Sequence, residues 1–248
     1  MENNHPPGSS AKIKARPVLY AILAALFFGL NAPVSKLLVA RIDPLFLASL
    51  LYLGAGLGML AIHRLRQRGG SAEREARLTV KEWPYILLMI LLDIAAPVSL
   101  MFGLSRTNAS TAALLGNFEI AATSFFALIL FKEAVGKRLW LAIGLIFTAS
   151  VLLSFDNFSS LQFSLGAVLV LISGLLWGIE NNITRQLSIK DPLQVVVLKG
   201  FGSGAGALII ALIWGSFSAP LGYIIIALVL GFVAYGASIY FYVKAQRE

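Results

Sequence analysis

Eight stretches of this chain are apolar for eighteen residues or more, and each is long enough to cross the hydrocarbon core of a bilayer as a helix. They lie at residues 17–38, 45–62, 83–104, 109–131, 137–154, 163–184, 193–214 and 220–243. A soluble domain has one core to fill and no use for so many such runs. A membrane strand would need only about ten residues in strict alternation, and that alternation is absent. The expected fold class is all-α integral membrane, a bundle with eight transmembrane helices. Composition agrees: 13% of the 248 residues are charged, against about 25% in ordinary soluble domains.

The remaining charge sits mostly between the runs. The net charge is +8 and the pI near 9.9. In a soluble protein this would suggest nucleic acid. Here topology accounts for it, and no nucleic-acid partner is expected. With the N-terminus inside, sixteen basic residues face the cytoplasm: Lys12, Lys14 and Arg16; Arg64, Arg66, Arg68, Arg74, Arg77 and Lys81; Lys132, Lys137 and Arg138; Arg185 and Lys190; Lys244 and Arg247. Arg41 and Arg106 alone fall outside. The positive-inside rule then predicts a multi-pass protein of the cell (inner) membrane with both termini cytoplasmic. Residues 1–16 read as a disordered basic tail. No clear cleavage site follows the first run, which reads as a retained span.

Several chemistries drop out. Cysteine is absent, and His5 and His63 lie away from membrane depth. Disulfides, thiol catalysis, a histidine base and a histidine-ligated metal at membrane depth are not expected. No phosphate loop is present. We expect no metal and no cofactor.

The sequence also repeats itself. Phe28-Gly29-Leu30-Asn31-Ala32-Pro33-Val34-Ser35-Lys36 matches Trp177-Gly178-Ile179-Glu180-Asn181-Asn182-Ile183-Thr184-Arg185 at an offset of 149. Asp43-Pro44-Leu45 matches Asp191-Pro192-Leu193 at 148, as does the run Gly54–Gly58 against Gly202–Gly206. Five spans separate the copies, an odd number, so the copies should cross the membrane in opposite directions. Inverted repeats are a hallmark of secondary transporters, whose two pseudo-symmetric halves exchange conformations around a site near the midplane.

With these turns, the run Gly103-Leu104-Ser105-Arg106-Thr107-Asn108-Ala109-Ser110-Thr111-Ala112-Ala113 and the junction Leu130-Phe131-Lys132-Glu133, the chain resembles the EamA-type transporters of the drug/metabolite transporter superfamily. The resemblance implies an inverted-repeat bundle of ten spans, five plus five, that exports small metabolites. Residues 17–154 would form the first repeat, and 155–248 a second, incomplete repeat of three spans. Ser238-Ile239-Tyr240-Phe241-Tyr242-Val243 parallels Ser99-Leu100-Met101-Phe102-Gly103-Leu104, and the counterparts of spans four and five do not follow. The chain reads as a fragment or as a shortened relative.

Polar residues at membrane depth are costly and mark candidate sites. Asp93 lies mid-span, four residues before Pro97, which cannot bond the Asp93 carbonyl. A kink there would present a carrier for a proton or cation, a ligand for a substrate amine, or a structural acid. Glu119 is mid-span beside Asn117, on one face with Gly116 and Thr123; it reads as a proton or substrate site, or as an interhelical hydrogen bond. The family pattern of Glu-Pro is broken by Ile120. Glu180 lies on a stripe with Ser173, Trp177 and Thr184, and the equivalent stripe of the first span is Ala24, Phe28, Asn31 and Ser35. Pro33 frees the Gly29 carbonyl and should bend that span. The two stripes, with Phe28 and Asn31 on one and Trp177 and Glu180 on the other, form a candidate binding wall, with lipid or core packing as the other use of the aromatics; Asn181 is a further binding candidate. Lys199 enters its span to a depth of roughly 9 Å. There it could pair with Glu180, snorkel to water or bind a substrate carboxylate. Lys36 and Arg185 are expected to snorkel. The glycine pairs Gly54/Gly58, Gly200/Gly204 and Gly202/Gly206 read as packing devices within each repeat, with a homodimer as the other use.

The functional expectation is a secondary transporter exporting small metabolites, amino acids or related compounds, by proton-coupled alternating access. Its partners would be a small-molecule substrate, a proton or other coupling ion and the lipid bilayer. The alternative is a truncated, inactive or scaffolding membrane protein. An intramembrane enzyme is disfavoured, because Lys199 with a serine is the one obvious dyad.

Overall fold

A computed structural model of the chain describes residues 15–68, 78–132, 136–157, 162–187, 190–215 and 217–247. The tail expected to be disordered, residues 1–16, falls almost wholly outside them, as do Arg74, Arg77 and Glu133.

The architecture is all-helical across the expected spans. Span one is α1 (Ala15–Gly29) followed by α2 (Asn31–Leu38), interrupted at Leu30. Pro33 has no N–H for the Gly29 carbonyl, and the ladder restarts with Val34 N–H on Leu30 O at 3.3 Å. Spans two and three are α3 (Pro44–Arg68) and α4 (Trp83–Arg106), the latter carrying Pro97 inside it. Span four is also broken, into α5 (Ala109–Gly116) and α6 (Phe118–Phe131). No proline predicts this break. Asn117 makes it, its side-chain amide donating to Leu114 O at 3.0 Å while its backbone N–H turns to the same carbonyl. Span five is α7 (Lys137–Leu153), and a short antiparallel pair, β1 (Phe155–Asn157) with β2 (Gln162–Phe163), links it to span six. Spans six and seven are α8 (Leu165–Leu187) and α9 (Pro192–Ile213). Span eight is α10 (Leu221–Leu230), a π-helical stretch Gly231–Ala237, and α11 (Ser238–Arg247).

Among the described residues, seven of these segments are long and apolar enough to cross a membrane. The eighth, α7, has 17 residues, at the lower limit for a span. Leucines such as Leu26, Leu37, Leu91 and Leu145 stand exposed along the helices, a pattern that lipid, not water, makes favourable.

Helices α3 and α9 form the central pair. On one side α4 packs along α8; on the other α1 packs along α11 and the π-helical stretch, which with α10 also lies on α3. Helix α6 covers α8, and α7 lies outermost against α5 and α6 with Ser150 its one buried residue.

The glycine pairs correct one expectation. They do not pack among the helices of residues 17–154, nor among those of 155–248, but join α3 to α9 and to span eight, and α9 to α4. A Cβ on Gly56 would meet the backbone of Gly200 and Phe201, and one on Gly204 would meet Leu53. A Cβ on Gly200 would in turn meet the Gly56 backbone. The helices approach too closely here for any side chain. The directions that a homodimer seam would use at these positions are filled from within the chain.

Candidate functional site

The close crossing of α3 and α9 brings polar side chains of four helices to one buried point. Lys199 of α9 lies 2.8 Å from Glu180 Oε1 of α8 and 3.2 Å from Asp93 Oδ2 of α4. Tyr52 of α3 donates its hydroxyl to Asp93 Oδ1 at 2.8 Å. Thr184, one turn beyond Glu180, donates to Glu180 Oε1. Asp93, Tyr52, Glu180, Thr184 and Lys199 are all buried. Of the roles open to Lys199, the structure has the pairing with Glu180 and adds Asp93, which sequence spacing did not connect to it. A lysine with both carboxylates on its ammonium is poorly placed to serve as a base for a serine.

An aromatic group adjoins this point. Tyr52 and Tyr235 have ring centroids 5.1 Å apart, and Tyr235 is 6.4 Å from Trp177 and 6.2 Å from Phe28. Phe28 meets Trp177 edge-on at 6.1 Å, so the two expected stripes do touch at their aromatic residues. Asn31 donates to the Tyr235 hydroxyl at 3.1 Å and accepts from Ser35 at 2.9 Å. The i, i+4 pair Asn31/Ser35 on α2 thus mirrors Glu180/Thr184 on α8, with a neutral amide in place of the carboxylate.

A second, separate cluster holds Glu119. Asn181 donates to Glu119 Oε1 at 2.7 Å and to Thr123 Oγ1 at 3.2 Å; Asn182 donates to Thr123 O at 3.0 Å. Glu180 and Asn181 are neighbours on α8, so they turn to different partners, α9 and α6. The face expected to link Gly116, Glu119 and Thr123 is incomplete, because the break at Asn117 separates Gly116 from the helix bearing the other two. Asn117 is exposed and bonded locally, away from both clusters.

Lys36 differs from its expected snorkelling. Its ammonium donates to Leu104 O at 2.5 Å and Thr107 O at 2.6 Å. It caps the C-terminal end of α4, where carbonyls lack helical partners and a cation is favoured. Arg185 lies over the Phe131 ring at 6.0 Å.

Tyr52 and Tyr235 were missed by sequence reasoning. The available signal was a phenol in the middle of a span, where its hydroxyl must find a partner. Tyrosine is ordinary in apolar runs, so residue type alone does not single these two out.

Three comparisons bear on this arrangement. A solved crystal structure, 16% identical in sequence, superposes with a TM-score of 0.70 over 94% of this chain and 80% of that one, and so has the same fold. An uncharacterized transporter of Methanothermobacter thermautotrophicus is 28% identical over 204 residues, 77% of this chain; the chain spans about 59% of that relative's length. Residues 15–155 match the EamA-like transporter family. That match takes in more than half of the sequence, through the two broken spans and the carboxylates Asp93 and Glu119, and the chain belongs to the EamA-like transporter family.

Proposed function

We propose that the chain works within a secondary transporter that exports small metabolites, amino acids or related compounds, by proton-coupled alternating access. The observation that carries this reading is the buried Asp93–Lys199–Glu180 group, drawn from spans three, six and seven. Ionisable groups at such depth are expensive and are kept where ions or substrates pass.

The inverted repeat supports the same reading. The offset of 148 that relates Gly54 and Gly58 to Gly202 and Gly206 also exchanges the two contacts at the helix crossing, Gly56 on Phe201 and Gly204 on Leu53. It extends outward. Gly54 and Gly58 approach Leu228 and Phe232 of span eight, while Gly202 and Gly206 approach Ile90 and Ile94 of span three. Leu228 and Phe232 follow Ile90 and Ile94 by a constant 138 residues. Each repeat therefore offers its glycine helix to the same face of the corresponding outer helix. In this reading residues 17–154 are the first repeat, 155–248 part of the second, and both termini are cytoplasmic in the inner membrane. Equivalent contacts of this kind let two halves exchange shapes at little cost, which alternating access requires.

The test is a counterflow screen of the full-length protein in proteoliposomes under an imposed pH gradient. Flux of at least one small metabolite is expected, and Asp93→Asn should abolish its dependence on the gradient. Gradient-driven flux unchanged in both Asp93→Asn and Glu119→Gln would remove these carboxylates from the mechanism.

A further inference from the structure

The charges of the buried group do not balance. Asp93 and Glu180 share one lysine. Around Asp93, α3 contributes the Tyr52 hydroxyl, α8 contributes Glu180, and α9 contributes Lys199 together with Ser203, which turns to Ile90 O at 3.5 Å. Glu119, on the far side of α8, adds a further carboxylate rather than a counter-charge. Lys36 is committed to carbonyls at the other end of α4. The two carboxylates are also held unequally. Glu180 Oε1 receives both Lys199 and Thr184. Asp93 Oδ2, fully buried, has no aligned hydrogen-bond donor among the described residues and lies beside Lys199 only as an ion pair. A lone surplus negative charge in a low-dielectric interior is strongly unfavourable unless a proton or another cation joins it.

The rings decide which cation. Tyr52 links the two parts of the site: its hydroxyl is on Asp93 and its ring is 5.1 Å from Tyr235, with Trp177 and Phe28 beyond. Phe28 is 37% exposed, while Tyr52, Tyr235 and Trp177 are buried. Aromatic faces beside an under-neutralised carboxylate attract an organic ammonium, and its apolar body is served by the same rings. A substrate carboxylate has no such welcome. Lys199 is occupied by two carboxylates, and an incoming anion would add to the surplus.

Resting on the transporter reading above and narrowing it, we propose that Asp93 is an exchange carboxylate at which a proton and an organic ammonium bearing an aromatic or apolar group compete. Lys199 and Glu180 form a fixed pair, and amines without a free carboxylate are the substrate class, in preference to amino acids.

The probe is phenethylamine, set against phenylalanine and phenylacetate, titrated calorimetrically into the full-length protein in nanodiscs in two buffers of different ionisation enthalpy. The amine should bind with release of about one proton per site, while phenylalanine and phenylacetate bind at least roughly tenfold more weakly. Asp93→Asn should weaken the amine about a hundredfold and abolish proton release. The comparison among the three probes needs no variant, so a misfolded Asp93→Asn leaves the proposal exposed to test. Equal or tighter binding of phenylalanine or phenylacetate overturns it, as does absence of amine binding. If the counterflow screen moves amino acids or anions with no loss in Asp93→Asn, this inference fails and Asp93 leaves the mechanism, while transport by the protein stands. If the screen moves nothing, the transporter reading fails with it.

Discussion

At the scale of single residues, the buried lysine is the group most exposed to loss. Lys199 offsets two carboxylates in a medium where water cannot replace it, and removing one partner of a buried ion pair typically costs about 3–5 kcal/mol. Lys199→Met should therefore lower the thermal unfolding midpoint in detergent sharply. The triple change Lys199→Met, Glu180→Gln, Asp93→Asn should recover most of that loss, because it leaves amides of similar shape in place of unpaired charges. An unfolding midpoint for Lys199→Met equal to wild type would mean that water reaches the group and that it is not buried as found. Lys36 sits in a different regime. Its two bonds to Leu104 O and Thr107 O are half-buried, and Lys36→Met should cost about 2 kcal/mol in the same measurement. Candidate residues for this site were legible in the sequence, because Asp93, Glu180 and Lys199 stand out in apolar runs. Their meeting was not, since it depends on which helices cross.

Elements carry the second set of effects. The break in span one was readable from Pro33, which removes a specific hydrogen bond. The break in span four was not, because Asn117 acts through a side-chain bond that competes with the helix only once formed. The π-helical stretch Gly231–Ala237 likewise left no periodic signal, yet it carries Tyr235 and lets Gly231 lie against the Leu51 carbonyl. Glycines separate cleanly by environment. A methyl on Gly54 would strike the Leu228 carbonyl, whereas one on Gly144 in the outermost helix meets nothing within 4 Å. Gly54→Ala should destabilise by about 1–3 kcal/mol, and Gly144→Ala should be neutral or stabilising by about 0.5–1 kcal/mol. Similar unfolding midpoints for the two variants would contradict the close α3–span eight approach.

For the whole molecule, orientation is the decisive property. The chain has no cysteine, so single cysteines introduced at Asp43 and Asp191 can each be labelled without background. A membrane-impermeant maleimide should reach position 43 from outside and position 191 only after the inner face is opened. Labelling of both from one side would remove the inverted relation, and with it the exchange of halves on which alternating access relies.

The run of apolar segments determined by itself that the chain is a helical membrane protein, because bilayer thickness and the need to satisfy every backbone group leave few other solutions. The repeat reading rests instead on matched motifs such as Asp43-Pro44-Leu45 and Asp191-Pro192-Leu193, which hydropathy does not register. The tertiary structure alone decided that Tyr52 joins Asp93, that Lys199 is shared, and that Glu119 belongs elsewhere with Asn181. Those pairings depend on helix rotation and crossing height, and these are set by where small residues allow backbones to touch, a property of two helices together that neither sequence segment contains alone.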